Sequence, residues 1–208
     1  MNTIINSIFN QNILIFYFIN RGLENQLLNF IMPLITDFGS IVAWIIICIS
    51  LYIFGGQNSK KVAVLGILAL FFANIVVYIL KVVIAEPRPF MVLPNVDLLI
   101  TETGSDSFPS GHTASSFAAA TVIGLKSKIN INGKNYGLIY PLLAFAALIG
   151  FSRIYIGVHY PIDVLFGALI GIISAVLVLK LWNNQLVDKI SSTNLRDKLL
   201  PKRSEKQR

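Results

Sequence analysis

Five stretches of this chain run without a single Asp, Glu, Lys or Arg: residues 38–59, 62–80, 107–125, 135–152 and 164–179. Each lies near the ~20 apolar residues that a helix needs to cross the hydrocarbon of a bilayer. The last is the shortest, and it can start near Pro161 because Asp163 would then sit at the membrane mouth. Only 13% of the residues are charged, against roughly 25% in soluble domains, which excludes an ordinary soluble protein. Abundant aromatic and aliphatic residues exclude a disordered chain as well. The expected fold is all-α, a polytopic bundle of five membrane-spanning helices.

A sixth charge-free stretch, 1–20, is broken by Asn2, Asn6, Asn10, Gln11, Asn12 and Asn20. It lacks the basic start and small-residue cleavage site of a secretory signal. With the polar-punctuated segment 22–36 it reads as helices lying at the interface. The chain thus divides into one membrane-embedded domain over 1–182, with the spans in 37–182, and a basic tail over 183–208. The single cysteine, Cys48, lies inside an apolar run and supports neither a disulfide nor a thiolate metal site.

A formal charge of +7 would ordinarily suggest a nucleic-acid partner, but its distribution points to a membrane. Five spans put alternate turns on opposite sides. One side receives Lys60, Lys61, Lys126, Lys128, Lys134, Lys180 and every Lys and Arg of the tail; the other receives only Arg21, Lys81, Arg88 and Arg153. By the positive-inside rule the first side is cytoplasmic, and the C-terminus with it. The tail is expected to rest on an anionic leaflet.

Three of the four outer cations sit at span ends, where charge is costly unless paired or functional. Lys81 and Arg88 close the second span, in a run where Pro87 and Pro89 stop the helix and turn Arg88 back over the mouth. Taken alone, both could simply reach for headgroups. Pro109-Ser110-Gly111-His112 opens the third span. There the amides of Ser110 and Gly111 would form an anion site at a helix N-terminus, although a plain cap with an incidental His is the alternative. Arg153, His159 and Asp163 bracket the turn between the last two spans. Asp163, four residues after His159, can hold one imidazole nitrogen and orient the other. Arg153 offers a planar fork for phosphate oxygens, or could merely lock two helix ends to Asp163. Topology brings all three clusters to the same outer face. Three cations, two amides, the chain's two His and one carboxylate converge without a Cys or acidic ligand set, which reads as a phosphate site and not a metal site.

These residues resemble the signature of the type 2 phosphatidic acid phosphatase superfamily, KX6RP, PSGH and SRX5HX3D. Here it runs from Lys81 to Arg88-Pro89, through Pro109-Ser110-Gly111-His112, to Ser152-Arg153, His159 and Asp163. The resemblance implies a helical core shared with vanadium haloperoxidases and metal-independent hydrolysis of a phosphate ester or anhydride, with no cofactor. It implies His159 as a nucleophile forming a phosphohistidine, Asp163 as its orienting partner, and His112 as general acid and then base. Lys81, Arg88, Arg153, Ser110 and Gly111 would bind the phosphoryl oxygens.

The short form and the Glu86-Pro87-Arg88-Pro89-Phe90 run are similar to bacitracin-resistance-type undecaprenyl-diphosphatases. That likeness implies a polyisoprenyl diphosphate as the partner, cleaved outside the cell. Gly111 departs from members of that subfamily that carry an acidic residue there. A phosphatidate or phosphatidylglycerophosphate phosphatase, a lipid phosphotransferase, and a non-catalytic lipid transporter remain alternatives. A transporter would have no need of both His112 and His159 beside Asp163.

Overall fold

Two long apolar helices set the frame of the computed structural model, which describes residues 2–182; the basic tail and its expected leaflet contact lie outside the described residues. Helix α4 (Gln57–Ile84) carries its charges only near its ends, and α8 (Pro161–Leu181) begins with Pro at a position that needs no N–H donor. Before them come α1 (Asn2–Tyr17), a π-helical turn (Phe18–Gly22), α2 (Gln26–Asp37) and α3 (Ile41–Phe54). Between them lie α5 (Pro89–Val92), α6 (Gly111–Lys126) and α7 (Ile139–Tyr155).

By length and composition, α4 and α8 each suffice to cross a membrane, and α2 with α3, bent by 57° at their junction, can count as a third span. The sixteen residues of α6 and seventeen of α7 reach only about 24 and 26 Å at 1.5 Å per residue. They fall short of a ~30 Å hydrocarbon core. Five helices thus match the five expected stretches in order, but only two of them pass on length alone.

The reason lies in α6. Ala114, Ala118, Ala119 and Ala120 are wholly buried, so this helix is the centre of the bundle. Small residues bring α8 onto it: a Cβ on Gly171 would stand 2.4 Å from the Ala114 carbonyl oxygen, and one on Gly167 2.6 Å from that of Ser110. Such spacing of small residues is how membrane helices gain contact without a hydrophobic driving force. Polar side chains add to it. Trp44 Nε1 donates to Ser116 Oγ at 3.1 Å, and Asn74 Nδ2 to Ser115 Oγ at 3.0 Å, tying α3 and α4 to α6. Each such bond contributes about 0.6 kcal/mol in a bilayer.

Asn20, in the π-helical turn, fixes the N-terminal region. It exchanges two hydrogen bonds with the backbone of Asp97, at 2.9 and 3.0 Å, and donates to the Tyr155 carbonyl at 2.7 Å. The π-helical turn is therefore tied both to the loop that carries Asp97 and to the end of α7. The 126–136 segment, expected as a plain turn, contains an antiparallel hairpin of β1 (Lys128–Ile131) and β2 (Lys134–Gly137). Asn132 and Gly133 at its tip have φ of 51° and 79°, the two left-handed residues of a type I′ turn.

Candidate active site

The site is assembled where α4 ends, α6 and α8 begin, and α7 gives way to a short turn. Helix α4 stops at Ala85, a left-handed residue with φ of 47° whose N–H still donates to the Lys81 carbonyl. The sequence places the stop at Pro87; the helix in fact ends two residues sooner. Because it does not continue, Lys81 and Arg88 do not share a helical face, and the chain reverses instead. The reversal is held by a bridge between Pro87 and Asp106, and by the Ser107 N–H donating to the Glu86 carbonyl at 2.7 Å.

That loop engages the cations. Lys81 Nζ donates to the carbonyls of Asp106 and Ser107. Arg88, 5% exposed, donates from Nε to the Gly104 carbonyl at 2.6 Å and from Nη1 to that of Val158 at 3.2 Å. Arg153, 1% exposed, donates to Thr36 Oγ1 at 3.0 Å and to Glu102 Oε2 at 2.8 Å, while its Nε is buried without a protein partner. Glu102 Oε2 also lies 3.5 Å from Arg88 Nη1.

His159 and Asp163 form the buried centre. Asp163 Oδ2 accepts from Ser107 Oγ at 2.5 Å, from the Tyr160 N–H at 2.8 Å, and from His159 Nδ1 at 3.2 Å. Helix α8 begins at Pro161, so Asp163 serves as its N3 carboxylate and caps the helix while holding the imidazole. Nδ1 carries the ring proton in this arrangement, which leaves Nε2 a lone pair, and Arg88 Nη1 stands 3.4 Å from that Nε2. His112 opens α6 at the same mouth.

Electrostatics follow from burial among cations. His159 is held well below the ordinary imidazole range, first by burial and then by Arg153, Arg88 and Lys81, so the ring is neutral at neutral pH. Burial also lowers Arg88, with Glu102, Asp163 and Asp106 acting against it. Burial alone would raise Glu102, but Arg88 and Arg153 overcome it and hold the carboxyl below its usual value. Glu86 moves the other way, pushed up to about 7 by burial and by Asp163.

Lys81, Arg88, Arg153, His159 and Asp163 are thus brought into one hydrogen-bonded group, as their spacing predicts. The Ser110 amide is not free for an anion. It donates to the Asp163 carbonyl at 3.0 Å, and the Ser110 hydroxyl caps α6 by accepting from the Thr113 N–H at 3.4 Å. Gly111, the first residue of α6, retains an amide without an intrahelical acceptor. Two residues of this group lie outside the three motifs: Glu102, and Ser107, which stands inside a charge-free stretch two residues before Pro109.

A bundle of apolar helices that buries two guanidinium groups and a His–Asp pair at one mouth defines a membrane protein with a buried cluster of charged side chains. The chain belongs to the PAP2 superfamily, which residues 62–186 match. It is 38% identical over 152 residues to the undecaprenyl-diphosphatase BcrC of Bacillus subtilis, covering 72% of each chain. The structure resembles that of Aquifex aeolicus LpxE, with a TM-score of 0.69 at 36% identity, covering 82% of this chain and 95% of that one. It shares its fold with a PAP2-type phosphatidylglycerolphosphate phosphatase from Bacillus subtilis at a TM-score of 0.66 and 23% identity, covering 84% and 85% of the two chains.

Proposed function

We propose that this protein hydrolyses a polyisoprenyl diphosphate, undecaprenyl diphosphate foremost, to the lipid monophosphate and inorganic phosphate. The observation that carries this reading is the buried, neutral His159 held at Nδ1 by Asp163, with its Nε2 lone pair turned to Arg88 Nη1, 3.4 Å away. It gains its substrate from the likeness to an undecaprenyl-diphosphatase. A groove of about 310 Å³ lined by Ile15, Pro161, Ile162 and Leu165, with Ser7, Gln11 and Asn12 on its α1 side, flanks the helical turn that carries Asp163 and could take a lipid tail.

The steps use this chain's residues alone. Nε2 of His159 attacks the terminal phosphorus as Lys81, Arg88, Arg153 and the Gly111 amide hold the phosphoryl oxygens. The bond from phosphorus to the bridging oxygen breaks, and His112, which takes up a proton as the anionic substrate binds beside it, passes that proton to the departing lipid monophosphate. His112 then takes a proton from water, whose oxygen attacks the phosphohistidine and releases inorganic phosphate with His159 restored. Asp163 stabilises the charge that develops on the ring, and the cations neutralise the charge on phosphorus. Ser110 serves as the cap that fixes α6, not as a phosphate donor. No metal is assigned a step, because fixed cations fill the place of one.

In this reading α3, α4, α6, α7 and α8 all cross the membrane around a haloperoxidase-like core, and residues 1–36 lie along the interface. The site faces outward and the C-terminus lies in the cytoplasm, on the asymmetry of Lys and Arg between the two sides. Purified protein in detergent with EDTA should release phosphate from undecaprenyl diphosphate faster than from phosphatidate or phosphatidylglycerophosphate. His159→Ala should abolish release from all three. Activity lost to EDTA and restored by Mg²⁺ would overturn the mechanism, and preference for a phospholipid would overturn the substrate.

A further inference from the structure

The donors that a phosphate needs are already engaged, and by one short segment. Glu102 places one carboxylate oxygen 2.8 Å from Arg153 Nη2 and 3.5 Å from Arg88 Nη1. Two residues on, the Gly104 carbonyl accepts from Arg88 Nε, and the carbonyls of Asp106 and Ser107 accept from Lys81. Residues 102–107 thus set an acceptor against each of the three cations. Only one of these acceptors is charged. The Asp106 and Ser107 carbonyls belong to backbone pinned on Glu86 and Pro87, whereas the Glu102 carboxylate ends a flexible side chain that is 20% exposed.

A carboxylate between two guanidinium groups makes the same charge-assisted contacts that a phosphoryl group makes. The two anions would repel each other if both were bound at full strength. At rest the carboxylate also spares the site two buried guanidinium groups with no counter-charge, a costly state.

We propose that Glu102 is a built-in competitor for the phosphoryl group: its carboxylate holds the Arg88–Arg153 pair in the resting enzyme, and the substrate phosphate must displace it. The inference rests on the phosphate-site reading above and adds what sets that site's affinity. A dianionic terminal phosphate outcompetes a monoanionic carboxylate. The return of Glu102 then helps expel inorganic phosphate, the product that would otherwise linger among three cations.

The test is calorimetric titration of the purified full chain in detergent with inorganic phosphate. Glu102→Gln keeps the shape and removes the charge, and should tighten phosphate binding on the order of tenfold. Its kcat on the lipid diphosphate should fall as phosphate leaves more slowly. Glu102→Asp keeps the charge but withdraws it by one methylene, and should give a smaller tightening; it also serves if the Gln variant does not fold. Unchanged or weaker phosphate binding in both variants overturns the proposal. Titration needs no turnover, so the two readings separate. A wild-type chain that hydrolyses no lipid diphosphate, yet binds phosphate more tightly once Glu102 is neutral, would sink the enzymatic reading and uphold the competitor.

Discussion

Both ends of this bundle are rich in cations, and they are built in opposite ways. At the mouth, Arg88 and Arg153 are buried, their donors are directed at named acceptors, and Glu102 balances the pair. At the other end, the hairpin exposes every residue from Lys128 to Ile131 and from Lys134 to Gly137. Lys60 is sheltered there, 5.7 Å above the face of the Tyr52 ring. Exposed cations act by number, through orientation in the membrane. Buried ones act by position, because desolvated charge is tolerated only where partners repay it.

That contrast can be broken experimentally. His159→Ala should have the largest effect, lowering phosphate release on the order of 10⁴-fold or more, since residues acting as one catalytic unit fail together. Arg153→Lys keeps the charge and loses the fork that reaches both Thr36 and Glu102. Its expected cost is about 100-fold in kcat/KM, read from steady-state kinetics. Ser107→Ala removes one of three donors to Asp163 Oδ2, and should lower kcat roughly tenfold with KM little changed. At the other end, Lys128→Ser combined with Lys134→Ser should change either parameter by less than about twofold. A large loss from the hairpin pair, or a small one from Arg153→Lys, would dissolve the distinction.

Acidity sharpens it further. His159 titrates well below the ordinary imidazole range, so protonation of its ring should not lower kcat/KM as pH drops through 6.5. Glu86, pushed up to about 7, is neutral below that pH and negative above it. Its charge therefore arrives as pH rises, near the phosphoryl site, and KM for an anionic lipid should increase above about pH 7. Glu86→Gln should flatten that rise, and a wild-type profile with constant KM from pH 6 to 8 would refute it.

Much of the mouth was legible in the sequence because its chemistry resides in distinctive side chains at fixed intervals. His159 and Asp163, four apart, meet across a proline helix start whichever residue begins α8, and Lys81 and Arg88 converge through the reversal between them. What stayed hidden depends on how the 85–110 loop folds back. Nothing in the order of residues places Glu102 between Arg88 and Arg153, which lie 14 and 51 positions away. Nor does it show that the Asp163 carbonyl would take the Ser110 amide, since that depends on how closely Gly167 lets α8 approach α6. The hairpin is a different case. Asn132-Gly133 is a strong local turn signal, and the Lys residues around it, which mark the side of the membrane, carry no information about strand pairing. Span counting fared in between: helices α4 and α8 declare themselves, but α6 is short because it is the buried centre, where packing and not lipid sets the length.

The proposed catalysis turns on a covalent step at one nitrogen. Rapid quenching of the enzyme with terminally labelled undecaprenyl diphosphate, followed by mass-spectrometric mapping, tests it most directly. The expected result is an acid-labile, base-stable phosphoryl group on His159, formed during turnover by the wild type and absent from His159→Ala. Turnover without any phosphoryl-enzyme, or with the group on a residue other than His159, would contradict it.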